Sequence, residues 1–254
     1  MTKLDPERMQ AGDTSLTRGL RVLLLIVDRG TMRANDLATE LDLPLSTVYR
    51  YLQTLRRSGL IIQDDGGFAT SNRLRVPGAS LPHDVLVRLA RPTLIELTNE
   101  THETTVLAVR AGVQAICLDQ IESPHAIRIA FRIGQHLPLH AGAASKMLLA
   151  HAPDELVEDL LTSDLAAFTP ATPSAAGLRR QLELIRSIGS AVSRGEFVPD
   201  AVAIAVPVFQ HEKVACSLTV AGPSSRCDAT WEKRATALLV ESGTALSRML
   251  DHVV

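Results

Sequence analysis

Apolar and polar positions follow two different periods along the chain, and the change falls near residue 104. Over 16–29, Leu16, Leu20, Leu23, Leu24 and Val27 recur three or four residues apart, which predicts an amphipathic helix stopped by Gly30. A shorter helix fits 35–41, with Asn35 as N-cap and Leu37, Ala38 and Leu41 inward. The turn DLP (42–44) leads into LPLSTVYRYLQTLRRSGL (43–60). Pro44 and Ser46 mark a helix start there, and Gly59 marks its stop. One edge of this third helix is apolar (Val48, Tyr51, Leu52, Leu55), and the other carries hydroxyls, amides and arginines. LIIQ, DDGG and FAT then read as apolar, turn, apolar, the pattern of a short β-hairpin over 60–70. Three helices followed by a hairpin is the winged helix-turn-helix order.

NRLRVPGASLP (72–82) is broken by Pro77, Gly78 and Pro82 and reads as a domain boundary. Helical spacing returns over 84–101, with Pro92 expected to bend or restart the helix. From 104 the period shortens. TTVLAVR (104–110) and QAICLDQI (114–121) flank a turn, and AIRIAF (126–131) is read as a third strand. A helix of small residues follows at 141–152, then amphipathic helices at 153–161 and 175–188. Two strands at 201–209 and 214–222 are joined by the charged turn QHEK, and a long helix over 228–250 comes last. Hairpin links between strand pairs favour an α+β fold with an antiparallel sheet over a doubly wound parallel one. The division expected is 14–76 for the winged helix-turn-helix, 77–101 for a linker and linker helix, and 102–254 for a second domain.

Charge sharpens this division. The whole chain has a formal net charge of −2, but residues 15–76 carry nine Lys/Arg against six Asp/Glu, while 77–254 carry fifteen against nineteen. The basic part is the candidate for a phosphate backbone. Aromatic residues make up only 3%, which argues against a surface that stacks single-stranded bases. Cys117, Cys216 and Cys227 form no CxxC pair, so neither a zinc site nor a disulfide framework is indicated, and reduced cytosolic thiols are the simplest reading. The first thirteen residues lack a signal-peptide core, and the longest apolar run, VLLLIV (22–27), is too short to span a bilayer. A cytoplasmic protein with no membrane partner is expected. No nucleophile elbow, HExxH or GxGxxG occurs, so neither an enzyme nor a cofactor is expected.

The third helix has the make-up of a major-groove reader. Val48, Leu52 and Leu55 would hold it on its domain, leaving Ser46, Thr47, Tyr49, Arg50 and Gln53 outward. Arg50 is the expected bidentate contact to a guanine or a phosphate. Ser46 and Thr47 sit at the helix N-terminus, which favours a phosphate. Arg18, Arg33, Arg56, Arg57 and Arg73 would touch the backbone and set register rather than sequence.

These stretches together resemble the IclR family of bacterial transcription regulators over roughly 14–250. The likeness rests on SLTRGLRVLLLI, ANDLATELDLPLSTVYRYLQTLRRSGLI and the hairpin in the first half. In the second it rests on LPLHAGAASKMLLA (137–150), SRGEFVPDAVAIAVPVF (193–209) and SLTVAGPSSR (217–226). The resemblance implies a linker helix leading to a GAF-like effector domain, in a homodimer or tetramer on double-stranded operator DNA. It also implies regulation of a metabolic operon, as repressor or activator, by a small carboxylic or aromatic acid. Glyoxylate- and pyruvate-sensing relatives hold a carboxylate on backbone N–H groups at a helix start, which falls here on Ala143 and Ala144. Their polar wall of an acid, a cysteine and two serines falls on Ser193, Ala203, Thr219 and Ala221. Two alanines and no acid in that wall imply a larger, partly apolar acid. Cys117, Asp119, Arg132, Glu196 and Cys216 are further candidates for the lining, although Cys117 and Cys216 read first as buried strand residues and only second as ligand contacts. His140 and Lys146 read as braces for the helix. The alternative is a DNA-tethered oligomerisation scaffold without an effector, whose second domain would have a solid core.

Overall fold

The structure, a computed structural model, describes residues 14–64, 67–71 and 81–253. The chain divides into two compact units, Met1–Ala79 and Ser80–Val254. Arg73 and most of the boundary segment lie outside the described residues, as do two residues of the DDGG turn.

The first unit holds α1 (Ser15–Arg29), α2 (Ala34–Leu41), α3 (Leu45–Arg57), β1 (Ile61–Asp64) and β2 (Gly67–Thr70). Helices this short are marginal alone, so their stability comes from packing. Val22 and Ile26 of α1, Leu37 of α2, and Val48, Tyr51, Leu52 and Leu55 of α3 bury together with Ile61 and Phe68. Each such side chain contributes roughly 1.5–3 kcal/mol on burial. Thr14 caps α1 by accepting from the Thr17 N–H. The cap of α2 is Arg33, not Asn35. Ala34 is buried against the core and draws the helix start forward, which leaves Asn35 exposed inside it. β1 and β2 pair antiparallel, and Met32 exchanges two backbone hydrogen bonds with Phe68, of 2.9 and 2.8 Å. This pins the wing to the α1–α2 connection. A Cβ on Gly67 would stand 2.4 Å from the Met32 carbonyl oxygen, so the close approach requires glycine there.

The face α1 buries differs from the one its spacing singled out. Leu16, Leu20, Leu24 and Val27 are exposed, by 72, 47, 56 and 47%, while Val22 and Ile26 are fully buried. The run RVLLLIV is apolar on more than one side, so periodicity there does not select a core face.

The second unit begins with α4 (His83–Thr101), which runs through Pro92 as one helix. β3 (Thr104–Ala111), β4 (Gln114–Ile121) and β5 (His136–Pro138) follow, then α5 (Ala143–Ala150), α6 (Asp154–Thr162) and α7 (Ala175–Ile188). The chain continues through β6 (Ala191–Arg194), β7 (Ala201–Gln210), β8 (Lys213–Pro223) and α8 (Ala229–Asp251). The sheet order is β5-β4-β3-β8-β7-β6, with every pair antiparallel. The fold is thus α+β.

Segment 126–131 is not a strand. Its polar backbone groups are met by side chains instead of a ladder. Thr104 donates to the Ile129 carbonyl, Arg226 to the Ile127 carbonyl, and the Gln120 amide both donates to and accepts from Phe131. The strand that joins β4 comes later, at His136–Pro138.

The two faces of the sheet are filled differently. Ile204, Val206 and Val208 of β7 and Leu218 and Val220 of β8 pack with α4 and α8. Strand alternation turns Ala203 and Ala205, and Ser217, Thr219 and Ala221, to the other face, where α5 lies with α6 and α7 outside it. Small residues on this face allow α5 close to the sheet and leave space beside its N-terminus.

Candidate functional site

On α3, Ser46, Tyr49, Arg50, Gln53 and Arg57 are exposed and Thr47 is half-buried, on the side away from the core. The Arg50 guanidinium lies 5.4 Å from the Tyr51 ring centre, and the Tyr51 hydroxyl accepts from Ser15 of α1 at 3.4 Å. Arg50 is thereby laid along the helix by a cation–π contact. Arg56 donates to Gln63 of β1 at 2.7 Å, which ties the end of α3 to the wing. Arg33 is exposed at the start of α2, and Arg18 is half-buried on α1. The arrangement is an exposed row of donors and cations on a helix whose opposite edge is locked into a core.

In the second unit, a hollow of about 480 Å³ of atom-free space, partly open to solvent, lies at the N-terminus of α5. Its floor is the small-residue face of β6, β7 and β8, where Ser193 stands opposite Ala203 and Ala203 opposite Ala221. Its cover is Ile129 and Phe131 from one loop and Phe197 and Val198 from another. Its end wall is Gly142, Ala143, Ala144 and Ser145. α5 has no side-chain cap, and its first amides have no acceptor within the helix, because the first intrahelical bond is from the Lys146 N–H to the Gly142 carbonyl. Among the described residues no charged side chain lines the hollow; the polar side chains are Ser145, Ser193 and Thr219. Thr219 is 2% exposed, and its hydroxyl has no hydrogen-bond partner among the described residues.

Beneath this end wall lies a buried ion pair. Lys146 is 1% exposed and donates to the Gln181 side chain (2.9 Å), the Val192 carbonyl (3.0 Å) and Glu196 (2.5 Å). The other Glu196 oxygen accepts from the Gly142 N–H at 3.1 Å. Burial draws the Lys146 ammonium below its ordinary pKa, and the carboxylate beside it pushes back. Thr169 and Thr172 donate to the carbonyls of Gly195 and Glu196, which holds the loop that carries Phe197 and Val198. His140 stacks on Phe168 with ring centres 5.4 Å apart and hydrogen-bonds the Ala166 carbonyl, so it braces the approach to α5.

Six of the expected pocket residues line this hollow together: Ala143, Ala144, Ser193, Ala203, Thr219 and Ala221. The other candidates lie elsewhere. Cys216 points into the α4/α8 core on the opposite face of the sheet, as strand alternation from Ser217 requires. Cys117 is fully buried in β4 outside the lining, and burial pushes its thiol up to about 12. Both Asp119 carboxylate oxygens accept from Arg91 of α4 at 2.7 Å, so this acid holds a helix to the sheet. Arg132 is exposed, and Glu196 stands behind α5 rather than in the wall. The spacing of strands and helices did not point to Ile129, Phe131, Phe197 or Val198. The usable signal was scarcity: two of the chain's five phenylalanines cover this one hollow. Among the described residues no group of three or more His, Cys, Asp or Glu is placed to hold a metal, and no helix is long and apolar enough to cross a membrane.

Comparisons with known proteins bear on both units. Residues 15–65 match the IclR helix-turn-helix domain, and residues 79–248 match the family described as bacterial transcriptional regulator IclR C-terminal. The HTH-type transcriptional repressor AllR of Escherichia coli K12 is 33% identical over 225 residues, covering 85% of this chain and 83% of AllR. The transcriptional repressor IclR of the same strain is 33% identical over 221 residues, covering 84% and 81%. Among solved structures, an IclR homolog from Microbacterium hydrocarbonoxydans complexed with 4-hydroxybenzoate aligns with a TM-score of 0.66 at 27% identity, over 93% of this chain and 99% of that one. Both Escherichia coli relatives are transcriptional repressors. With a winged helix-turn-helix, a three-layer second unit and matches across both, the chain belongs to the IclR family of bacterial transcriptional regulators.

Proposed function

We propose that this protein binds operator DNA through α3 and that a small organic acid with an apolar body, held at the N-terminus of α5, controls that binding. In this reading 14–76 is the DNA-binding domain, 77–101 the linker and 102–254 the effector and oligomerisation domain. Ser46, Thr47, Tyr49, Arg50 and Gln53 enter the major groove, and Arg18, Arg33 and Arg57 meet phosphates. The observation that carries the effector half is the hollow itself. It combines α5 amides that have no acceptor within the helix, a buried hydroxyl without a partner, and a lining otherwise apolar. Amides at a helix start favour a carboxylate, and the apolar walls favour hydrocarbon. A solid core would have favoured a scaffold without an effector. The Microbacterium relative bound to 4-hydroxybenzoate, an aromatic acid, supports the same class.

The protein acts as a homo-oligomer in this reading, because one recognition helix reads too few bases to select a site in a genome. The exposed stripe Leu16, Leu20, Leu24 and Val27 on α1 supports pairing of two DNA-binding units.

The test is thermal denaturation of the full chain with a panel of aliphatic and aromatic acids, 4-hydroxybenzoate included. An acid at a hundred times its Kd adds about 2.7 kcal/mol. Ala144→Leu should abolish that gain while DNA binding persists and no longer responds to the acid. Equal binding of the acid by Ala144→Leu and wild type would place it elsewhere.

A further inference from the structure

We infer that the buried Lys146–Glu196 pair sets the charge preference of the hollow, so that acid recognition at α5 depends on a lysine that never touches the acid. The inference rests on the reading that this hollow takes an organic acid. Glu196 already places one carboxylate at the start of α5, on the Gly142 N–H. A second carboxylate on the neighbouring amides of Ala143, Ala144 and Ser145 would meet a like charge within a few residues. Like charges in a poorly solvated site repel strongly. Among the described residues the lining offers no cation to offset this. Lys146 does so from behind, by neutralising Glu196.

The geometry excludes a direct role for the ammonium. Three hydrogen bonds, to Gln181, Val192 and Glu196, use all three of its N–H groups, and the side chain is 1% exposed. Stability does not account for the pair either, since buried ion pairs are often matched or bettered by apolar residues of the same size. An apolar pair would leave the Gly142 N–H without its carboxylate acceptor. The pair supplies that acceptor and keeps the helix start electrically open to another anion. Thr219 is the independent sign that the hollow is built for a ligand, because its buried hydroxyl faces it without a partner. Lys146 and Glu196 are therefore positioning residues, and the property they control is discrimination between an acid and its neutral isostere.

The experiment compares 4-hydroxybenzoate with 4-hydroxybenzamide on the full chain, by calorimetric titration of wild type, Glu196→Gln, Lys146→Met and the double variant. Because a lone buried charge tends to neutralise, titrations are run across pH: the acid-to-amide affinity ratio should rise on the order of tenfold in Glu196→Gln at the low-pH end, where Lys146 stays charged, and fall by a similar factor in Lys146→Met at the high-pH end, where Glu196 stays ionised. The double variant, neutral at both positions, should lie between the two. If Lys146→Met fails to fold, Glu196→Gln and the double variant still give two ordered values. A purely structural role would weaken acid and amide together and leave the ratio within twofold of wild type in every variant, which overturns the inference. If wild type binds no acid of the denaturation panel, the effector reading falls and this inference with it; if it binds another acid of the panel, that acid and its amide take the place of this pair. Binding with an unmoved ratio overturns this inference alone.

Discussion

Replacing Thr219 with valine should make the protein more stable and less able to respond. Thr219 sits on β8 at 2% exposure, and its hydroxyl has no partner among the described residues. Burying a hydroxyl without a hydrogen bond costs about 1–3 kcal/mol. Valine has the same branched shape, so the exchange leaves no void and removes that cost. A gain of about 1 kcal/mol should raise the Tm of a unit this size by roughly 2–4 °C. The same change should weaken an effector that hydrogen-bonds there by about 1 kcal/mol, or roughly fivefold. Ser217→Ala is the matched control. Its hydroxyl is also buried without a partner, but it does not line the hollow, so it should stabilise without touching effector affinity. The assay is thermal unfolding followed by Trp231 fluorescence. Trp231 is the single tryptophan and lies on α8, so it reports the second unit. Effector titration of the same samples completes the set. A Thr219→Val protein less stable than wild type would show that the hydroxyl is satisfied and that the reasoning fails.

Further outcomes follow from the same geometry. Arg50→Ala should weaken operator binding by roughly 1–3 kcal/mol and relax preference at one base pair; equal loss on operator and random DNA in a gel-shift assay would reduce Arg50 to a phosphate contact. Leu20→Glu with Leu24→Glu should raise the dimer dissociation constant at least about a hundredfold, since each leucine forgoes roughly 1.5–3 kcal/mol of burial; an unchanged sedimentation profile would move the interface off α1. Burial disfavours the thiolate at Cys117 and Cys227, pushing each up to about 12, and raises Cys216 as well. All three thiols should therefore stay protonated and unreactive toward a disulfide reagent at pH 8 in the native protein, and all should react after unfolding in guanidinium. Rapid native labelling of any one would contradict its burial.

The hairpin, the helix-turn-helix order and the long final helix were legible because each is written in local pattern: apolar spacing, a proline start, a glycine stop. What stayed hidden depends on contacts distant in sequence. Nothing in AIRIAF reveals that Thr104, Gln120 and Arg226 satisfy its backbone and remove the need for a ladder. The start of α2 moved because Ala34 finds a place in a core assembled from α1 and β2. Family likeness named six positions that share the lining of one hollow, whereas strand alternation turns Cys216 to the opposite face. Asp119 was misplaced for a different reason. A buried acid signals a partner, and the partner, Arg91, is twenty-eight residues away on a helix.

The unequal filling of the central sheet has a consequence for how such proteins diversify. Large branched strand residues fill one face against α4 and α8, while alanine, serine and threonine on the strands of the other face shape the hollow beside the α5–α7 core. The sheet acts as a partition between a side packed by α4 and α8 and a side that holds the hollow. Exchanges at Ala203, Ala221 or Ser193 can resize or re-polarise the chamber without disturbing the α4/α8 side. If the hollow takes the acid proposed, single substitutions on this floor change what fits it, and the α4/α8 face need not change with them.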